Sequence, residues 1–228
     1  MEPQFRAIAD HALLVSFAAE ISEDTHAKVV ALDTAIGANM PVGVIETVPA
    51  LVNLLVSFDP IITDHIVVEE HVRSCLKDMK IGQVSGVRRH VHVCYEAPFA
   101  PDLNAVATAT GLSIDAVINA HLAGDFQVLM YGFAPGYAYL SGVPEPIQAP
   151  RKSAPVRDVP AGSVIIAGPQ CLITTLTMPT GWSIIGRSPT AILTGDPNHP
   201  FLLDVGDHLT FERIDLTTFE RLNKGNRS

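Results

Sequence analysis

The chain has 228 residues, 47% apolar and 17% charged, which supplies a core for one large or two small domains and excludes a disordered chain. Fifteen basic against twenty-four acidic residues give a net charge of −9 without any block of Lys or Arg, so neither nucleic acid nor an anionic membrane is an expected partner. Cys75, Cys94 and Cys171 stand far apart with no C-x-x-C, the start is acidic and lacks a signal-peptide run, and no apolar run nears the roughly 20 residues of a membrane span, so a soluble cytoplasmic protein with free thiols is expected.

In chain order, "ALLVSFA" (12–18) reads as a strand. "SEDTHAKVVALDTAIG" (22–37) reads as a helix capped by Ser22, with Ala27, Val30, Ala31 and Ile36 on its apolar face and Gly37 closing it. "VGVIETVP" and "LVNLLVSF" pair as a hairpin across Pro49-Ala50. The segment 61–79 is helical, with Ile66, Val67, Val72, Cys75, Leu76 and Met79 as its apolar face. "VRRHVHVCY" (87–95) alternates strictly, as a strand does. The order β-α-β-β-α-β predicts a ferredoxin-like split βαβ sheet.

Two short helices follow, 102–111 and 113–124, with Asp102 and Ser113 as caps. Beyond Asp125 the chain is proline-rich. Its short apolar segments, "GSVIIAG", "CLITTLT", "WSIIGR", "AILT", "PFLLDV" and "HLTFERI", predict a closed or nearly closed β-barrel, with "DLTTFERLNKG" as a final helix. The fold class is α+β, with an α/β domain at 1–85 and a barrel domain at 86–228.

The sequence holds no P-loop, no G-x-G-x-x-G after a strand, no H-E-x-x-H, no EF-hand loop and no G-x-S-x-G elbow. His90 and His92 share a strand face, but no acid or cysteine joins them in sequence, so no metal site is assigned. Three features concentrate chemistry. In "MYGFAPGYAYLSG" (130–142), Gly132, Pro135 and Gly136 force the backbone to bend, while Tyr131, Phe133, Tyr137 and Tyr139 fall on alternate positions. This is a tight turn packed on the barrel, or an aromatic ligand loop or interface. Arg151, Lys152 and Arg157 gather three cations within an acidic chain, as a solvated loop or as a grip on a carboxylate or phosphate. Gln170 follows Gly168-Pro169 at a strand end, and Arg187 ends a strand beside a turn, both places suited to reading a polar substrate. Trp182, the sole tryptophan, reads first as hairpin core packing.

Taken together, "GFAPGYAYLSG", "APRKSAPVRDVPAGSVIIAG", "GW-x-x-IGRSP" and "PFLLDVGDHLTF" resemble the allophanate hydrolase subunit 1 family, as do "ALLVSFAAEIS", "VIETVPA" and "HVCYEAPFAPDL" in the first half. That family includes the B component of bacterial ATP-dependent 5-oxoprolinase, a multi-subunit enzyme, and the kinase inhibitor Kip. Related sequence occurs in the carboxyltransferase region of urea carboxylase. The resemblance implies an α/β domain followed by a cyclophilin-like barrel. It also implies a partner of the allophanate hydrolase subunit 2 type, the C component of 5-oxoprolinase, and a third component with which 5-oxoproline is opened to glutamate using ATP. No cofactor is expected on this chain alone. An allophanate hydrolase or urea carboxylase-type subunit, or a non-enzymatic inhibitor of a histidine kinase, are the alternatives. Arg151, Gln170 and Arg187 match the family pattern and carry over as substrate-binding candidates, with Lys152 and Tyr137 beside them. Gly132, Phe133, Pro135, Gly136 and Tyr139 form the loop or interface candidate. The chain departs from the pattern at Val156 and Asp158, where family members tend to carry Arg. It departs again at 171–175, where Cys-Leu-Ile-Thr-Thr replaces Thr-Gly-Ile-Tyr-Pro. No residue is assigned an acid–base role.

Overall fold

The computed structural model describes residues 2–20, 22–82 and 86–225. The chain forms two compact units, Met1–Val84 and Ser85–Ser228.

The first unit contains β1 (Gln4–Ile8), β2 (Ala12–Ser16), α1 (Glu23–Ala38), β3 (Val44–Pro49), β4 (Asn53–Phe58) and α2 (His65–Asp78). The strands form an antiparallel sheet in the order β1-β2-β4-β3. Leu13, Val15, Leu54, Val56 and Phe58 alternate along β2 and β4 onto the face that the helices cover. Ser22 caps α1, its Oγ accepting from Thr25 N at 3.2 Å. Asp64 caps α2, accepting from the backbone of Ile66 and Val67 at 2.9 and 3.0 Å.

Three expectations change here. The strand at 88–94 does not complete this sheet; it belongs to the second unit, and the outer place beside β2 goes to β1 instead. The six-element order therefore fails as a split βαβ. The buried face of α1 is Val29, Leu32 and Ile36 with Thr25 and His26, not the stripe through Ala27, Val30 and Ala31. Larger side chains a fraction of a turn away bury more apolar area than alanines do. The helix α2 starts at His65 rather than at 61, and its buried stripe runs through Val68 and Val72, with Cys75, Leu76 and Met79 packed beside them, while Ile66 and Val67 are exposed.

The second unit contains β5 (Arg88–Cys94), α3 (Leu103–Thr110), α4 (Ile114–Leu122), β6 (Phe126–Tyr131), β7 (Ala138–Ser141), a 3-10 turn at Glu145–Ile147, β8 (Val156–Val159), β9 (Ser163–Ala167), β10 (Gln170–Ile173), β11 (Met178–Thr180), β12 (Ser183–Arg187), β13 (His208–Ile214) and α5 (Leu216–Gly225). Seven strands close a barrel in the order β10-β7-β6-β13-β5-β12-β9, with β9 pairing back onto β10. β5 and β13 run parallel over seven residue pairs. Asp207 ties their starts together by accepting from Val87 N (2.8 Å) and Arg89 Nε (3.0 Å). β8 and β11 form a separate two-stranded flap. "AILT" and "PFLLDV" do not make barrel strands; they meet only in a Leu193–Phe201 bridge.

All five residues of β9 are buried. Val164 and Ile166 point into the barrel, whereas Ile165 and Ala167 point out into a second small core with Tyr137, Leu172, Trp182 and Ile184. This outer core underlies the site described below.

One polar group sits deep inside the barrel. His121 of α4 is fully buried, with its Nδ1 2.8 Å from the Tyr95 hydroxyl and its Nε2 3.7 Å from Cys171 Sγ. The rings of Phe126 and Phe211 pack against it at 5.0 and 4.7 Å. Burial pushes the imidazole down to about 3 and raises both the Cys171 thiol and the Tyr95 phenol. All three therefore stay neutral. Cys94 and Cys171 are buried and Cys75 is half-buried; all three are free.

Candidate functional site

The bend at 132–136 closes the β6–β7 hairpin, where Tyr131 pairs with Ala138. Gly132 N donates to Tyr137 O (3.1 Å) and Tyr137 N to Ala134 O (3.1 Å). Gly136 has φ +69, and a Cβ there would meet Leu193 Cδ2 at 2.8 Å. Pro135 O accepts from Thr175 Oγ1 at 2.7 Å, which ties the bend to the chain after β10. Phe133 also has φ +69, a costly conformation for an aromatic residue, and stands 73% exposed. Tyr137 is buried beneath it.

These aromatics line a cleft of about 200 Å³ on the outer face of the barrel. Phe133, Tyr137 and Tyr139 form one side, Ile165 and Leu172 the floor, and Pro179 to Trp182 the other side. The Arg151 guanidinium lies 5.6 Å above the Trp182 ring, and Tyr139 meets that ring edge-on at 5.9 Å. Burial, with Tyr139 close by, pushes the Tyr137 phenol up to about 12. It remains a neutral hydrogen-bonding group at any working pH.

Arg151 is held in place by its neighbour. Lys152 N donates to Gly181 O at 2.7 Å, and its ammonium pairs with Asp102 Oδ2. The same carboxylate accepts from Ile184 N at 2.7 Å, and Asp102 N donates to Ile184 O at 3.0 Å. Asp102 therefore clamps the 150–152 segment to the β11–β12 hairpin that carries Trp182. It makes no side-chain cap on α3, contrary to expectation, because its oxygens are used across the fold. Asp102→Ala would leave Ile184 N and the half-buried ammonium without an acceptor, at a cost of about 1–3 kcal/mol. A correspondingly lower urea midpoint, together with weakened tryptophan quenching by any ligand of the cleft, is the expected result.

The sequence candidates thus separate. Arg151, Tyr137, Phe133 and Tyr139 share the aromatic cleft, and Gly132, Pro135 and Gly136 shape its loop. Lys152 is committed to Asp102. Arg187 lines a different cleft of about 260 Å³ with Thr174, Thr175, Ser188 and Asn223, donates from Nε to Ala161 O (3.2 Å), and stacks over Phe99 at 5.4 Å. Gln170 opens β10 opposite Ala167 and lines neither cleft. Trp182 packs into the outer core of its hairpin, as read, and also walls the cleft. Asp102 is the residue whose role the sequence reading missed, since its place before a helix suggested a cap and not a bond across the fold.

His90 and His92 do gain an acidic neighbour: Glu212 on β13 approaches them at 3.0 and 3.4 Å. Among the described residues, no group of three or more His, Cys, Asp or Glu is arranged to hold a metal. No described helix is long and apolar enough to cross a membrane.

Residues 3–203 match the carboxyltransferase domain family, subdomains C and D. The chain belongs to this family. Its match to the B component of 5-oxoprolinase from Bacillus subtilis (strain 168) is 36% identical over 227 residues and covers 92% of each chain. The carboxyltransferase-type fold also superposes on the protein TTHA0988, with a TM-score of 0.79 and 30% identity over 90% of this chain. It spans only 40% of that longer chain. The Kluyveromyces lactis urea amidolyase shares the fold at TM-score 0.83 and 16% identity, covering 98% of this chain and 15% of that one. The positions read as departing from the family pattern fall on β8 (Val156, Asp158), on β10 (171–173) and just after it (174–175). Val156 and Asp158 lie exposed on β8, Asp158 with φ +54. In β10, Cys171 and Ile173 face the barrel interior and Leu172 faces the cleft.

Proposed function

We propose that this chain is a 5-oxoprolinase component of the B type that binds 5-oxoproline and acts with partner subunits to open it to glutamate with ATP. One observation carries the reading: a single guanidinium, Arg151, overhangs a slot of aromatic and aliphatic side chains. A compact lactam with one carboxylate complements that arrangement, its ring against Trp182 and Tyr139 and its carboxylate on the arginine fork. The described lining contains no Asp, Glu, His, Cys or Lys. On this reading the proton-transfer groups and the ATP site are assigned to partners in a cytoplasmic complex. One partner is of the 5-oxoprolinase C component or allophanate hydrolase subunit 2 type, and a third protein completes the set. The 36% identity to a protein named as the B component of 5-oxoprolinase supports the same assignment. We further assign the barrel a cyclophilin-like topology. The kinase-inhibitor alternative needs an exposed aromatic patch, and of Phe133, Tyr137 and Tyr139 only Phe133 is largely exposed.

The test is reconstitution with the cognate subunits, following glutamate release from 5-oxoproline with ATP. Turnover that requires this chain is expected. Turnover no higher than that of the complex lacking it would overturn the proposal.

A further inference from the structure

The first unit carries a cleft that the barrel site does not use. It has a volume of about 500 Å³, within the range of small-molecule sites. Phe17, Leu76 and Met79 make an apolar base, and Phe5 of β1 makes a wall. Phe5, Leu76 and Met79 are only partly buried, packed at the margin of the core rather than inside it. Three cations surround this apolar surface: Lys28 on α1, and Arg73 and Lys77 on α2.

The cations differ in their commitments. Arg73 donates from Nε and Nη2 to Glu69 Oε1 at 2.9 and 2.7 Å, and its guanidinium lies 4.0 Å over the Phe5 ring. It is a fixed part of the wall, with its flat face turned to the aromatic. Lys28 and Lys77 form no ion pair among the described residues. Glu2 is the acid in the lining. In a chain of net charge −9, two uncommitted ammoniums on separate helices flank an open apolar surface. Their long stems can follow a hydrocarbon while their heads reach an anion. A purely apolar ligand would leave the ammoniums unused, and an inorganic anion would leave Phe5, Leu76 and Met79 wet.

We propose that this cleft binds a small amphipathic anion, a carboxylate headgroup on a hydrocarbon tail, with the tail on Phe5, Phe17, Leu76 and Met79 and the headgroup between Lys28 and Lys77. The site is independent of the proposed 5-oxoproline cleft, so either assignment can fail without the other.

The experiment is calorimetric titration of the full chain with decanoate, with decyltrimethylammonium as a same-length cation. Decanoate should bind and the cation should bind at least about tenfold more weakly, a difference of about 1.4 kcal/mol. In about 1 M salt, where the Debye length falls to about 3 Å, the preference should shrink. The charge-reversing double variant Lys28→Glu/Lys77→Glu, at two solvent-accessible helix positions, should lose the preference for the anion while keeping the far-ultraviolet circular dichroism of the parent. Equal binding of both amphiphiles would reduce the cleft to bare apolar surface and overturn the proposal. So would an absence of decanoate binding by the folded chain. Decanoate binding that vanishes when a cognate partner is added would assign the surface to a protein seam, and would overturn it too.

Discussion

Acidification from about pH 6.5 toward about 3 is expected to destabilise the barrel by up to about 1.4 kcal/mol per pH unit on account of His121 alone. The unfolded imidazole takes a proton near 6.5, whereas the folded one resists it down to about 3, since burial among Phe126, Phe211 and Cys171 leaves an imidazolium no solvent. Between those limits the unfolded chain binds the extra proton, so stability falls as the pH falls; above 6.5 the group contributes no slope. The carboxylates titrate in the same range, so the measurement is a difference. Urea midpoints are followed against pH for the parent and for His121→Gln, which retains a donor and an acceptor but cannot titrate. The variant should be less stable at neutral pH and should show the shallower slope. Parallel curves would show that His121 accepts its proton in the folded barrel.

Arg151→Ala is expected to lower kcat/KM of the reconstituted complex for 5-oxoproline roughly ten- to a hundredfold, the worth of one charge-assisted contact of about 1.5–3 kcal/mol. In the proposed binding mode Arg151 would hold the carboxylate, which does not react, so the loss should fall mainly on KM. Arg151→Lys keeps the charge but gives up the planar fork and the stack over Trp182, and should recover only part of the loss. Arg187→Ala, in the other cleft, provides the comparison. If it raises KM for 5-oxoproline and Arg151→Ala does not, the substrate site moves to the cleft of Thr174, Ser188 and Asn223.

What the sequence revealed was what neighbouring residues determine among themselves. Ser22 and Ser113 cap helices as read, since a cap is a bond to a backbone three residues on. The strand at 88–94 was legible from its alternation, but its partners were not. Its parallel neighbour lies 120 residues away in sequence, and nothing in "VRRHVHVCY" names it. β1 escaped notice because Phe5 and Ile8 are the only residues in "QFRAI" that are even partly buried, so it shows no two-residue period. At the site, the bend and its aromatics stood out through composition. Lys152 did not betray its pairing with Asp102, fifty residues earlier, because such a pair exists only once the barrel has closed.

The parallel pairing of β5 with β13 has a consequence for synthesis. The strand that opens the second unit must wait for almost the last residues of the chain before the barrel can close. While the ribosome makes the intervening residues, β5 has an unpaired edge and its apolar valines have no permanent cover. Nascent chains stalled short of residue 208 should therefore be protease-sensitive across the whole second unit. Arg88, His90 and His92 on the outer face of β5 put polar side chains beside that edge during the wait.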